Sequence, residues 1–175
     1  TIACACAGII IGSVFVSGLG LKFTQSVIDL SGGVLFILLC LTAISAIILG
    51  MGMTTTAVYI TVAALIVPSL IESGILPIAA HMFAFYFGVV STITPPVALA
   101  SFAGAAIAKS PPMSTAVESS KVGIAKYIVP FAFVYNPSLL MEGPIIWSLY
   151  SLVAVLLAYW LMTLGLEGWF NGKLN

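Results

Sequence analysis

Along this chain apolar runs alternate with short polar interruptions, and the interruptions are of two kinds. The charged kind bounds the runs: Lys22 and Asp29, Glu72, Lys109, Glu118 with Lys121 and Lys126, and Glu142. The uncharged kind lies inside them, as "LGMGMTTTAVY" at 49–59 and "VSTITPPVALA" at 90–100. The first run predicts a helix from Ile2 to Leu21, with Gly8, Gly12 and Gly18 spaced for close helix packing. The polar stretch "KFTQSVIDLSGG" that follows predicts a connector with at most a short interfacial piece. No charge falls between Leu30 and Ile71, where arms at 34–49 and 57–71 flank "GMGMTTT". That length suits two crossings of about 20 residues each, or two shorter arms. Pro68 should kink or end the second arm.

Gly74 holds the place of a helix-terminating residue and Pro77 that of a helix-opening one. Beyond Pro77, "STITPP" divides the run into 77–92 and 97–108, about 24 Å and about 18 Å long as helices. Together these exceed a hydrocarbon core of about 30 Å. The segment is therefore either one helix broken and offset at midplane or a second hairpin. "KSPPMSTAVESSK" (109–121) reads as a polar linker. An apolar run from 122, interrupted by Lys126 and Pro130 and closed by "YNPS", predicts a helix within 122–140. The last run, Ile145 to Leu166, is uncharged and long enough to span, with Trp147 and Trp169 at its ends where aromatic belts sit.

Composition turns this pattern into a membrane protein. Of the 175 residues 62% are hydrophobic and 6% charged, where a soluble domain carries about 25% charged residues. So little charge cannot solvate a water-facing surface, and the chain reads as an all-α integral membrane bundle in contact with lipid. Five lysines balance five acids with no arginine, so no basic face for nucleic acid is expected. Cys4, Cys6 and Cys40 lie in apolar runs without nearby His or acids and are expected to be small packing residues rather than metal ligands. The chain starts at Thr1 with no basic leader and no visible signal peptide, and reads as part of a longer polypeptide.

The two uncharged interruptions carry the chemistry. Pro95 and Pro96 supply no N–H, and Pro95 disfavours helical geometry at Thr94, so the helix must stop near Ser91. Backbone groups freed in lipid cost several kcal/mol each unless they face protein or a wet cavity. The hydroxyls of Ser91, Thr92 and Thr94 stand beside the freed carbonyls. In the other segment Gly50 and Gly52 permit a tight reversal, and Thr54, Thr55 and Thr56 are placed to cap the next helix. A helix N-terminus suits an anion, while carbonyls and hydroxyls suit a hard cation such as Na⁺. "GMGMTTT" can also be an ordinary turn between spanning helices, though a water-facing turn usually carries Asn, Asp, Lys or Glu. "TITPP" can also be a structural kink. Paired interruptions of apolar segments are the better pointer to a transporter site.

Residues 48–108, "ILGMGMTTTAVYITVAALIVPSLIESGILPIAAHMFAFYFGVVSTITPPVALASFAGAAIA", resemble the large membrane subunit of TRAP (tripartite ATP-independent periplasmic) transporters. "IVPFAFVYNPSLL" at 128–140 and "AGIIIGSVFVSGLGLKF" near the start share in the resemblance, which is closest to the TAXI-type fused permeases. It covers residues 7–140 and only the C-terminal part of such a subunit. The family's first motif usually reads Gly-Met-Gly-Leu/Met-Pro-Thr-Thr; here Thr54 stands at the proline position, which implies a less rigid loop. The resemblance implies a multi-pass inner-membrane permease of the elevator type. A periplasmic binding protein delivers an organic acid, a carboxylate, and an ion gradient of Na⁺ or H⁺ drives its uptake. Such subunits are similar to inverted-repeat carriers, in which each half gives a re-entrant hairpin and a broken helix. By that analogy 1–143 is the second repeat of the transport domain: helix 2–21, hairpin 34–71 with "GMGMTTT" at its tip, broken helix 77–108, helix 122–140. Residues 144–175 form a terminal transmembrane helix and tail. The other half belongs to the remaining membrane part of the permease.

The substrate- and ion-binding candidates are Gly50, Gly52, Thr54, Thr55 and Thr56 at the tip, with Ser91, Thr92, Thr94 and Pro95 at the break. No cofactor beyond the coupling ion is expected. His81 is either a proton or gate residue or an interfacial polar group, Glu72 and Glu118 mark membrane boundaries, and Asn136-Pro137 makes a turn. "FAFYF" (83–87) suits lipid or helix contact better than a substrate stack. Lysine placement does not fix the orientation: if 77–108 crosses once, Lys22 alone lies opposite the other four, and if it is a hairpin all five share one side. A membrane scaffold or channel-like subunit is the alternative function. A membrane enzyme is disfavoured, since no nucleophile–base set, paired carboxylates or metal cluster is visible.

Overall fold

A computed structural model describes residues 2–167, leaving out the side chains at 2–4, 6, 7, 10, 11, 15, 166 and 167. Cys4, Cys6, Trp169 and Lys173 thus lie outside what is described. Among the described residues all regular structure is helical. The first run is divided in two: α1 (Ile2–Ser17) and α2 (Leu19–Ser31) meet at Gly18, whose φ of 65° is left-handed. The expected connector is in fact most of α2. Its polar residues Lys22, Gln25, Ser26 and Asp29 are exposed, while Thr24, Val27 and Ser31 face the core. One helical face was hidden under a polar composition. Gly32, also left-handed, ends the helix.

Next come α3 (Leu35–Gly50), a four-residue turn, α4 (Thr55–Leu65) and α5 (Val67–Glu72). Pro68 sits in the first turn of α5 and separates it from α4, because a proline has no N–H to continue the ladder. Gly74, at φ 85°, reverses the chain into α6 (Pro77–Val90), which opens on its proline. After the interruption at 91–98 the chain resumes as α7 (Leu99–Ala108).

The stretch read as a linker forms α8 (Pro112–Val122). Pro112 occupies the first turn, and the Thr115 and Ser119 hydroxyls donate back to carbonyls four residues earlier, so the segment is polar yet largely helical. Buried Ala116 is its core contact. The single helix expected within 122–140 is α9 (Ala125–Tyr135) followed by a 3₁₀ turn, Pro137–Leu140. Asn136, extended at φ −138°, ends α9, and its Nδ2 donates to Ser151 Oγ at 2.8 Å, tying the turn to α10 (Ile145–Glu167).

Among the described residues Ile145–Gly165 is the one stretch long and apolar enough to cross a bilayer alone. The apolar helices α3, α4, α6 and α7 are shorter; even the 16-residue α3 reaches only about 24 Å. Of these, α7 packs on α8, while α3 and α4 pack on α6, which also touches α9. Leu39, Val58, Val62, Ile66, Leu70 and Phe83 are fully buried there. Phe83 and Phe87 pack edge-on against Phe131 of α9, with centroids 5.4 and 5.8 Å away, and Tyr86 against Phe133. Most of the "FAFYF" run is therefore helix contact, offset and T-shaped pairs being the favoured aromatic geometry.

The α4–α6 contact depends on Gly88. A Cβ there would lie 2.8 Å from Val58 Cγ1. Gly88→Val should destabilise the bundle by about 1–3 kcal/mol through overpacking, read as a lower melting temperature in detergent. Val58→Ala made alongside should recover part of that loss.

Candidate functional site

The turn joining α3 to α4 is built by its glycines. Met51 (φ −62°, ψ 122°) and Gly52 (φ 78°) are the central residues of a type II turn closed by Met53 N donating to Gly50 O at 3.4 Å. Such a turn needs a positive φ at its third position, which glycine supplies. Thr54 follows at φ −71° and ψ 149°, in the N-cap position of α4, and its carbonyl accepts the Val58 amide at 2.9 Å. Contrary to the capping expected of Thr54, Thr55 and Thr56, no side chain caps this helix, and all three threonines are exposed. The amides of the first turn of α4 thus keep their unmet donors, with the partial positive charge of the helix end behind them.

At the other segment α6 tightens before it stops. Thr92, Ile93 and Thr94 amides each donate to the carbonyl three residues back. The Ser91 hydroxyl donates to Gly88 O at 2.6 Å, Thr92 to Val89 O at 2.7 Å and Thr94 to Val90 O at 2.7 Å. The carbonyls of the interruption find donors from farther away: Thr92 O accepts the Ala100 amide, and Ile93 O accepts Ser120 Oγ of α8, both at 3.0 Å. Each hydroxyl spends its one proton on a carbonyl, and its oxygen lone pairs keep acceptor capacity. Pro95 is half-buried, Ser91 fully buried, and Thr92 and Thr94 half-buried.

The two segments touch. A Cβ on Gly50 would lie 2.7 Å from Ser91 Cβ and closer still to its hydroxyl, and one on Gly52 would lie 3.8 Å from Val97 Cγ1. Only a glycine at 50 lets the turn reach the interruption. Gly50 and Ser91 are thus brought together directly and Gly52 lies beside the same segment, while Thr54, Thr55 and Thr56 remain on the open side of the turn.

Two partners of the interruption were not legible. Tyr127 of α9 hydrogen-bonds Thr94, its OH 2.6 Å from Oγ1, and Ser120 reaches Ile93 O. Both come from beyond α7. Tyr127 follows a lysine in a mixed run and Ser120 sits in the stretch read as a linker, so neither carried a local sign of its partner. His81 is half-buried with Nδ1 3.1 Å from Tyr59 OH, a bond between α6 and α4. Glu72 and Glu118 are exposed, and Glu118 pairs with Lys121 at 3.1 Å.

The backbone at Thr54 is one a proline adopts, with φ within the range its ring imposes. Among the described residues no backbone bond uses the Thr54 amide. Thr54→Pro should therefore leave the hairpin intact and raise the melting temperature, by about 0.4–1 kcal/mol in stability. A lower melting temperature would show that the turn needs the freedom threonine gives.

No curated protein and no solved structure matches the chain. The family model described as "Tripartite ATP-independent periplasmic transporter, DctM component" matches residues 1–148. That match takes in both glycine- and proline-interrupted segments and every helix up to the start of α10. The chain belongs to the DctM-component family, the large membrane permease of tripartite ATP-independent periplasmic transporters.

Proposed function

We propose that this chain supplies one half of the transport domain of such a permease, taking up a small carboxylate against its gradient by co-transport with Na⁺. The observation that carries the reading is the contact of Gly50 with Ser91. It sets an uncapped helix N-terminus beside a broken helix whose hydroxyls have committed their protons and kept their lone pairs. Oxygen lone pairs and backbone carbonyls without a carboxylate favour Na⁺ over a proton as the coupling ion. Gly50, Gly52, Ser91, Thr92, Thr94 and Pro95 frame the cation. The open amides of α4, with Thr54, Thr55 and Thr56 around them, meet the substrate carboxylate. In this reading α3 and α4 enter the membrane as a re-entrant hairpin and α6–α7 cross it as a broken helix. The matching half comes from the rest of the permease, the pair moves as an elevator, and a periplasmic binding protein delivers the acid. The family supports the multi-pass inner-membrane setting.

The test is uptake of labelled organic acids by the complete transporter in proteoliposomes, with its binding protein and an imposed Na⁺ or pH gradient. Thr94→Ala should raise the half-saturating Na⁺ concentration about tenfold or more, a loss of about 1.4 kcal/mol in cation binding. Uptake driven by a pH gradient with no Na⁺ requirement would overturn the cation site, and flux without any ion dependence would favour a channel-like subunit. Gly50→Ala should abolish uptake by forcing the hairpin turn off Ser91. Adding Ser91→Gly should restore the packing but not the Na⁺ affinity.

A further inference from the structure

The interruption between α6 and α7 is gripped from outside the helices it divides. Ser120 Oγ of α8 lies 3.0 Å from Ile93 O and equally far from Ala116 O of its own helix, so its one proton is shared between the two carbonyls. Gly123, between α8 and α9, comes so close that a Cβ on it would lie 2.7 Å from Ile93 Cδ1. Tyr127 of α9 bonds Thr94 Oγ1 at 2.6 Å, across 33 positions of sequence. Three successive turns of the chain that follows α7 therefore meet residues 93 and 94. Pro95, Ser120 and Tyr127 also line one shallow groove of about 370 Å³ on this side.

The hydroxyl at 94 is the informative member. Its proton goes to Val90 O at 2.7 Å, so toward Tyr127 it must accept, and the phenol O–H must donate. A threonine oxygen has two acceptor lone pairs. One is taken by Tyr127 and one is left. We infer that Tyr127 is a positioning residue of the cation site: its phenol fixes the Thr94 oxygen so that the remaining lone pair points at the coupling cation. This rests on the reading of the interruption as a Na⁺ site. The need for such a hold is local. Pro95 and Pro96 bring no amides to the segment, so Thr94 is the last residue here whose amide bonds back into α6, through a long 3.4 Å contact to Ser91 O, and its side chain carries the rest of the hold. α9 is itself anchored on α6 through Phe131 against Phe83 and Phe87. Tyr127, one turn before Phe131 on α9, is thereby carried on the same rigid body as the broken helix.

The experiment is Tyr127→Phe in the complete reconstituted transporter, with two readouts: the Na⁺ dependence of uptake and the Na⁺ dependence of the melting temperature. The substitution removes one oxygen and keeps the ring. The half-saturating Na⁺ concentration should rise about three- to tenfold in both readouts, with the maximal uptake rate within about twofold of the parent and the Na⁺-free melting temperature little changed. In the Thr94→Ala background the same substitution should add nothing, because the two act through one oxygen. If Thr94→Ala shifts the Na⁺ dependence and Tyr127→Phe does not, the positioning role is wrong while the cation site stands. Additive effects of the two substitutions would likewise overturn it. If Thr94→Ala leaves the Na⁺ dependence unchanged, the cation site itself is wrong and the role of Tyr127 falls with it. Should Tyr127→Phe not fold, Ser120→Ala gives the second reading: loosening Ile93 should shift the Na⁺ dependence in the same direction, and no shift would overturn the outside grip.

Discussion

A backbone amide or carbonyl without a partner costs several kcal/mol in a lipid setting, and this chain removes partners in the middle of its most apolar region. Pro95 and Pro96 delete two amide donors where α6 would otherwise have run on into α7. Much else in the structure can be followed from the way that loss is made good. Three hydroxyls turn back onto the last carbonyls of α6, the first turn of α7 donates to Thr92 O, and α8 reaches over to Ile93 O. A segment satisfied in this way is ordered without being helical. Its hydroxyl oxygens, their protons committed to carbonyls, retain acceptor capacity.

Close approach is the second requirement, and glycine meets it at each crossing. Gly50 admits Ser91, Gly88 admits Val58, and Gly123 admits Ile93. Gly88 brings α6 close to α4, while Gly50 and Gly123 bring their neighbours close to the interruption that follows α6. In lipid, where the apolar surroundings give little drive for helices to associate, such contacts supply packing. The aromatic stack of Phe83, Phe87 and Phe131 then fixes α9 to the same body. Glycine serves both kinds of contact: Gly88 lets α4 and α6 meet, and Gly50 lets the turn between α3 and α4 reach Ser91.

Much of this was legible in order of strength of signal. The uncharged, glycine- and proline-marked segments stood out because their residues have backbone consequences regardless of context: Gly52 does take a positive φ, Gly74 does reverse the chain, and α6 does stop at Val90. Segments whose polarity was read as irregular structure were misjudged. Residues 22–33 and 109–121 look like connectors by composition, yet both are largely helical. In the first, a buried Thr24–Val27–Ser31 face is carried by residues that composition counts as half polar. In the second, serine and threonine hydroxyls bond their own helix. The capping assigned to the threonines at 54–56 was a rule of position, and position alone does not turn a hydroxyl toward an amide.

By itself the sequence determined that the chain is apolar enough for a membrane, that its helices must stop at "GMGMTTT" and "STITPP", and which residue types stand there. Those outcomes follow from local covalent facts: proline lacks an amide, glycine lacks a Cβ, and few charges can solvate a surface. Only the tertiary structure decided that Gly50 meets Ser91, that the threonines opening α4 stay exposed and uncapped, and that Tyr127 bonds Thr94. Such contacts join residues tens of positions apart. They exist because α6 packs at once on α3, α4 and α9, a geometry that no single stretch of sequence encodes.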